Sequence, residues 1–314
     1  MFWANLVHLS FNMWEEAEVQ PPPGFPGKKL LEIRKARPYL RFEEPFYQTL
    51  TEKMKAAGMN MIVLDLGDGV RYQSHPEIAV KGAWSPEKLK MELARLRSLG
   101  LEPIPKLNFS TTHDTWLGPY SRCVSTDVYY GVCRELIAEV CCLFDRPRLF
   151  HLGLDEETAE HQRWALYAVM RQHQLWWHDF YFLVNEVEKN GTRAWIWSDY
   201  LWHHPEDFFQ KMPKGVVQSN WYYGRAFNRK IPYVKAYLDL EKHGYDQIPT
   251  GSNWSYPENF ENTVRYCLPR IAPERLLGFL QTPWYPSLAQ FKKRHFQAIV
   301  AVERARKKYE PGEN

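Results

Sequence analysis

Arg148-Leu149-Phe150-His151-Leu152-Gly153-Leu154-Asp155-Glu156-Glu157 is a short apolar run that stops abruptly in three adjacent acids. Bounded by Pro147, it reads as a buried strand, and charge at its far end places chemistry at the rim of a sheet. Seven further runs of strand length occupy residues 2–9, 59–66, 102–109, 193–199, 216–221, 247–254 and 276–284. Helix punctuation fills the intervals. Ser85-Pro86-Glu87 is an N-cap, a first-turn proline and a first-turn acid, and Gly58, Gly100, Gly191 and Gly244 each close a helical stretch just before the next run. Eight strand-helix units with glycine-capped returns predict an α/β chain, a (β/α)8 TIM barrel, in a single domain over residues 1–314. An open doubly wound sheet has the same alternation, but no Gly-rich phosphate loop follows the first run.

Bulk properties narrow the function. The net charge is only +3 and 25% of residues are charged, so no strong field points to nucleic acid or to an anionic membrane surface. No apolar run approaches the ~20 residues of a membrane span, and the Met1-Phe2-Trp3-Ala4 start lacks a basic segment followed by an apolar one. The five cysteines have no Cys-x-x-Cys spacing and no flanking His, which reads as free thiols and favours a cytoplasmic location. No metal or other cofactor is expected. His203-His204 has no spaced carboxylate or thiol partner, and the first run offers a single His8 rather than His-x-His. The aromatic content of 15%, with 13 Trp, supplies flat apolar faces with polar edges that suit sugar rings.

A barrel builds its site from the C-terminal ends of its strands. The second run ends in Asp65 and Asp68, and the third leads into Asn108 and Thr112-His113-Asp114-Thr115-Trp116. Asp155-Glu156, Trp197-Ser198-Asp199, Asn220-Trp221-Tyr222-Tyr223, Asn253-Trp254 and Gln281-Thr282-Pro283-Trp284-Tyr285 follow. Acids therefore gather on the second to fifth strand ends and aromatics on the fifth to eighth, the pairing of carboxylates and indoles that a glycosidase needs. Strand alternation turns His151, Gly153 and Asp155 inward, and likewise Trp195, Trp197 and Asp199. Glu156 lies where the chain is already turning, so periodicity does not aim it. Asp65 and Asp68, set among glycines, read as turn residues, Glu157 as a helix start, and residues 158–190 as an irregular insertion followed by a helix.

Three stretches carry a family resemblance. His151-Leu152-Gly153-Leu154-Asp155-Glu156 resembles the His-x-Gly-x-Asp-Glu signature of glycoside hydrolase family 20, the β-N-acetylhexosaminidases. Thr112-His113-Asp114-Thr115-Trp116-Leu117 resembles that family's third-strand Gly-His loop, and Ala194-Trp195-Ile196-Trp197-Ser198-Asp199 resembles the Trp-Ser-Asp strand of its bacterial single-barrel members. The match is best over residues 103–199. It implies a retaining, substrate-assisted mechanism. Glu156 would protonate the glycosidic oxygen and later activate water, while Asp155 would hold the 2-acetamido N–H of a carbohydrate substrate. The resemblance also implies a sugar-binding wall of Trp197, Trp254 and Trp284, joined by Trp221, with His113 and Asp199 hydrogen bonding in or behind the pocket. The chain departs from the family in having no Arg within residues 3–14, Thr112 in place of Gly, and Gly153-Leu154 in place of Gly-Gly. Two other readings use the same residues: a conventional glycosidase with Asp199 as nucleophile, and a carbohydrate-binding barrel without catalysis.

Overall fold

The computed structural model describes residues 1–15 and 28–309. The Pro/Gly-rich segment 20–27, expected to form a surface loop, lies outside them. Eight parallel strands form the barrel: β1 (Phe2–His8), β2 (Met61–Asp65), β3 (Glu102–Lys106), β4 (Leu149–His151), β5 (Arg193–Trp197), β6 (Val217–Ser219), β7 (Thr250–Gly251) and β8 (Gly278–Gln281). The order β6-β5-β4-β3-β2-β1-β8-β7 closes through the bridges Gln218 to Gln247 and Trp221 to Thr250. The helices are α1 (Lys28–Arg34), α2 (Glu44–Ala56), α3 (Pro86–Ser98), α4 (Asp127–Leu143), α5 (His173–Lys189), α6 (Tyr200–His203), α7 (Pro205–Lys211), α8 (Pro232–Lys242), α9 (Asn259–Cys267) and α10 (Lys292–Tyr309).

The two-residue period of the strands separates two apolar layers. Leu6, Val63, Ile104, Leu149, Trp195 and Trp197 fill the barrel, whereas Val7, Leu64, Phe150 and Ile196 pack outward beneath the helices. Local signals set the helix ends. The Ser85 hydroxyl accepts the Lys88 N–H at 3.2 Å at the start of α3, Leu89, Leu93 and Leu96 bury its inner stripe, and Gly100 takes a φ of 78° after its last turn. Among the described residues no helix is long and apolar enough to cross a membrane. Cys133, Cys141 and Cys267 are buried and none of the five cysteines is bridged.

Two acids sit differently from their sequence reading. Asp65 is not a turn residue: it ends β2 inside the barrel, its carboxylate 2.6 Å from Lys106 Nζ and 3.2 Å from His8 Nδ1. A fully buried lysine requires such a counter-charge. Asp68 does occupy the turn that the glycines suggest, accepting the Ser10 hydroxyl and the Asn12 side-chain amide. Glu157 starts no helix, because α5 begins only at His173. It accepts the backbone N–H of Arg171 at 2.7 Å and its guanidinium at 2.9 and 2.6 Å, which clamps the two ends of the irregular segment 158–172 together.

Candidate active site

Beyond β4 the chain turns on an unusual backbone. Gly153, Leu154 and Glu156 have φ of 72°, 69° and 57°, in the left-handed region that costs a non-glycine residue roughly 1–3 kcal/mol unless its surroundings hold it. Asn108, just past β3, supplies much of that hold. Its Oδ1 accepts the N–H groups of Leu154 and Ser110 at 3.1 Å each, and its Nδ2 donates to Asp155 Oδ1 at 2.8 Å. The approach is close enough to require glycine at 153, since a Cβ there would fall 2.0 Å from Asn108 Oδ1. Thr112 Oγ1 donates to the Glu156 carbonyl at 2.6 Å, and the Glu156 N–H donates to Asp199 Oδ2 at 2.8 Å. Glu156 is thus aimed by side chains from the third and fifth strand ends.

His113 joins the two acids. Its Nε2 lies 3.4 Å from Asp155 Oδ2 and 3.4 Å from Glu156 Oε2. Burial disfavours the imidazolium, but the charge and hydrogen bond of Asp155, followed by those of Glu156, outweigh it and lift the ring to about 9. For Asp155, burial favours the neutral acid. The charge and hydrogen bond of His113, with Lys106 and Asn108, reverse that and hold its carboxyl well below the usual range. Burial and the charge of Asp155 push Asp199 up to about 8. Among the described residues His113, Asp155 and Glu156 also form the group whose metal-ligating atoms fall within 4.8 Å of one another. His113 Nε2 faces both carboxylates at ion-pair distance, and their charge favours its protonated form.

These groups face a cavity of about 540 Å³ lined by His113, Asp155, Glu156, Trp197, Trp221, Trp254 and Trp284 among others. Trp197 forms the floor, its ring 4.3 Å from His151 and 6.0 Å from Trp284. Trp284 Nε1 donates to the Tyr223 hydroxyl at 3.0 Å, and Trp202 meets Trp221 edge-on at 4.5 Å. Of the eight residues expected from the sequence to be catalytic or sugar-binding, seven line this cavity. Asp199 alone lines a neighbouring cavity of about 360 Å³ instead, and its Oδ1 is buried without a partner.

Fold comparison sets this site in context. The chain is similar to a β-N-acetylhexosaminidase from Bacteroides fragilis (TM-score 0.66, 15% identity, covering 96% of this chain and 65% of that one). It is also similar to a family 20 exo-β-N-acetylglucosaminidase from Vibrio harveyi (TM-score 0.65, 13% identity, 99% and 55%) and to dispersin B (TM-score 0.56, 14% identity, 84% and 95%). What the likeness shows is a shared (β/α)8 barrel fold. The chain spans 65% or less of the first two structures. No family model matches it, and no curated protein matches it by sequence.

The sequence has no Arg within residues 3–14. The arginine that lines this cavity is Arg34, at the end of α1, with its guanidinium 4.8 Å from the Trp14 ring centroid. Neither residue was legible as a site residue, because α1 follows β1 only after a long connection. Tyr223, two residues past the sixth run, falls in the Asn220-Trp221-Tyr222-Tyr223 stretch read from the sequence as a strand end, although no site role was expected of it. Trp202 and His161 were not within reach of sequence reasoning: they come from α6 and from the irregular segment after β4.

The two raised pKa values give a first prediction. Asp199 rises from 3.8 to about 8 and His113 from 6.5 to about 9, so the folded chain holds both protons more tightly than the unfolded chain. Their stabilisation is largest at low pH and is lost as pH rises through the folded values. His113 should therefore lower the melting temperature between about pH 6.5 and pH 9, and Asp199 between about pH 4 and pH 8. Asp199→Asn keeps a carbonyl for the Glu156 N–H and cannot ionise, so its melting temperature should fall less over the latter window. A variant as steep as the wild type would contradict this account of Asp199.

Proposed function

We propose that the protein is a retaining glycoside hydrolase of the β-N-acetylhexosaminidase type, acting on carbohydrate by substrate assistance. The observation that carries this reading is the placement of Asp155 and Glu156 on one tryptophan-walled cavity with His113 bridging them. An N-acetylhexosaminide enters with its ring against the indole faces. Glu156 gives its proton to the glycosidic oxygen as the bond to the anomeric carbon breaks, and the acetamido carbonyl oxygen attacks that carbon from the other side. Asp155 accepts the acetamido N–H and carries the negative charge that offsets the cyclic cation so formed. Glu156, now a carboxylate, takes a proton from water, which opens the intermediate with net retention.

The ionised state of Asp155 suits that task. A conventional double displacement needs a second carboxylate free to attack at ~5 to 5.5 Å from the acid. Asp199 does not fit that requirement, because one of its oxygens holds the Glu156 N–H and it lines the adjacent cavity. The deciding experiment is turnover of aryl N-acetyl-β-glucosaminides and galactosaminides beside the matching 2-hydroxy glycosides. Hydrolysis of the acetamido sugars alone is expected. Comparable cleavage of the 2-hydroxy sugars would establish double displacement, and calorimetric sugar binding without any turnover would establish a binding barrel.

A further inference from the structure

Glu156 has a second histidine against it. His161 Nε2 lies 3.3 Å from Glu156 Oε1, opposite the oxygen that faces His113, and its ring is partly exposed. From these contacts we infer that His161 is a positioning residue for Glu156, holding its Oε1 so that the carboxyl keeps one orientation through both proton transfers. The inference rests on the acid/base role proposed for Glu156.

The contacts on the two sides of the ring favour one tautomer. Thr158 Oγ1 accepts the backbone N–H of His161 at 3.2 Å and lies 2.8 Å from His161 Nδ1. The hydroxyl can give its proton to Nδ1 or accept one from it, and the carboxyl oxygen 3.3 Å from Nε2 selects the first, because a carboxylate there calls for hydrogen on Nε2. Nδ1 then accepts, so Nε2 carries hydrogen toward Glu156. Thr158 is itself tied to the acid, its N–H donating to the Glu156 carbonyl at 2.7 Å. Residues 156–161 thus form a closed circuit in which the backbone of the acid fixes the threonine, the threonine fixes the imidazole, and the imidazole fixes the carboxyl.

The segment bearing His161 is anchored rather than merely near. The next residue, Gln162, is 4% exposed and is spanned between donors and acceptors of its surroundings: its Oε1 accepts Arg122 Nη1 at 2.7 Å and the Val169 N–H at 2.8 Å, and its Nε2 donates to the Val169 carbonyl at 2.7 Å. Departure of the proton from Glu156 leaves a carboxylate, and an imidazole nitrogen already 3.3 Å from Oε1 stabilises that ion with little rearrangement. An acid held in this way serves best where the leaving group most needs a proton.

The test is kcat and KM for His161→Ala and His161→Gln on aryl N-acetyl-β-glucosaminides ranging from dinitrophenyl to phenyl. Losing this donor beside the carboxyl should lower kcat on the phenyl glycoside about tenfold with KM within about twofold, while kcat/KM on the dinitrophenyl glycoside, whose first step needs no proton, is little affected. The Gln variant, which keeps an N–H donor, should recover most of the loss and also shows that the segment folds without the imidazole. A uniform loss over all leaving groups, a change in KM alone, or no change in an active enzyme overturns the inference. A wild-type chain inert across the whole series overturns the functional proposal and takes this one with it.

Discussion

Glu156→Gln is expected to lower kcat/KM on phenyl N-acetyl-β-glucosaminide by about 10²- to 10⁴-fold, the usual contribution of a positioned acid. Glutamine preserves the shape, and its backbone N–H still meets Asp199 Oδ2, so the turn that aims residue 156 is retained. What it cannot do is give up a proton to the glycosidic oxygen or take one from water. Glycosides whose leaving groups are stable as anions need no proton in the first step, so a dinitrophenyl substrate should lose far less in kcat/KM. Its turnover should then stall at the second step, where water must still be deprotonated, and an initial burst of phenolate should appear. Steady-state kinetics across leaving groups, with a stopped-flow trace on the dinitrophenyl glycoside, check both parts. Equal losses on every substrate would remove Glu156 from the role of acid, whatever the size of the loss.

The barrel was legible because its parallel strands are covered on both faces and so read as short apolar runs, four of them reached through a glycine that terminates a helix. The location of the acid pair was legible for the same reason: it lies where such a run stops. The direction of Glu156 was not, because it depends on three left-handed backbone angles fixed by Asn108, Thr112 and Asp199 from other strand ends. Asp65 was misread because its partner Lys106 lies 41 residues away, and Glu157 because Arg171 lies 14 away, beyond any helical or turn spacing. Arg34, His161 and Trp202 enter the cavity from connections rather than strands, and connections carry no two-residue period to mark an inward face. Local pattern therefore finds the frame and the residues rooted in it. Charge partners brought together only by closure of the barrel have to be seen in three dimensions.

Asp155→Asn should reduce kcat by about 10²- to 10³-fold, the scale set by removing one preorganised group from a site of developing charge. The argument begins with the ground state. Asp155 is anionic because His113, Lys106 and Asn108 outweigh its burial, and an asparagine retains a carbonyl oxygen for the Asn108 amide while losing the charge. The substrate acetamido group then keeps a possible acceptor but loses the counter-ion to the cation that its own cyclisation creates. Every leaving group depends on that cyclisation, so the loss should be nearly the same from phenyl to dinitrophenyl, in contrast to the graded response at Glu156. Affinity for a thiazoline analogue of the cyclic intermediate should fall in parallel with kcat. Both substitutions leave the His113 cation buried with one carboxylate fewer, and Asp155→Ala should destabilise the fold further, by roughly 3–5 kcal/mol in all, since it also strips the Asn108 amide of its acceptor. Should Asp155→Asn instead follow the leaving-group slope of Glu156→Gln, with thiazoline affinity intact, the proton-transfer role would belong to Asp155 and the division of labour between the two acids would be reversed.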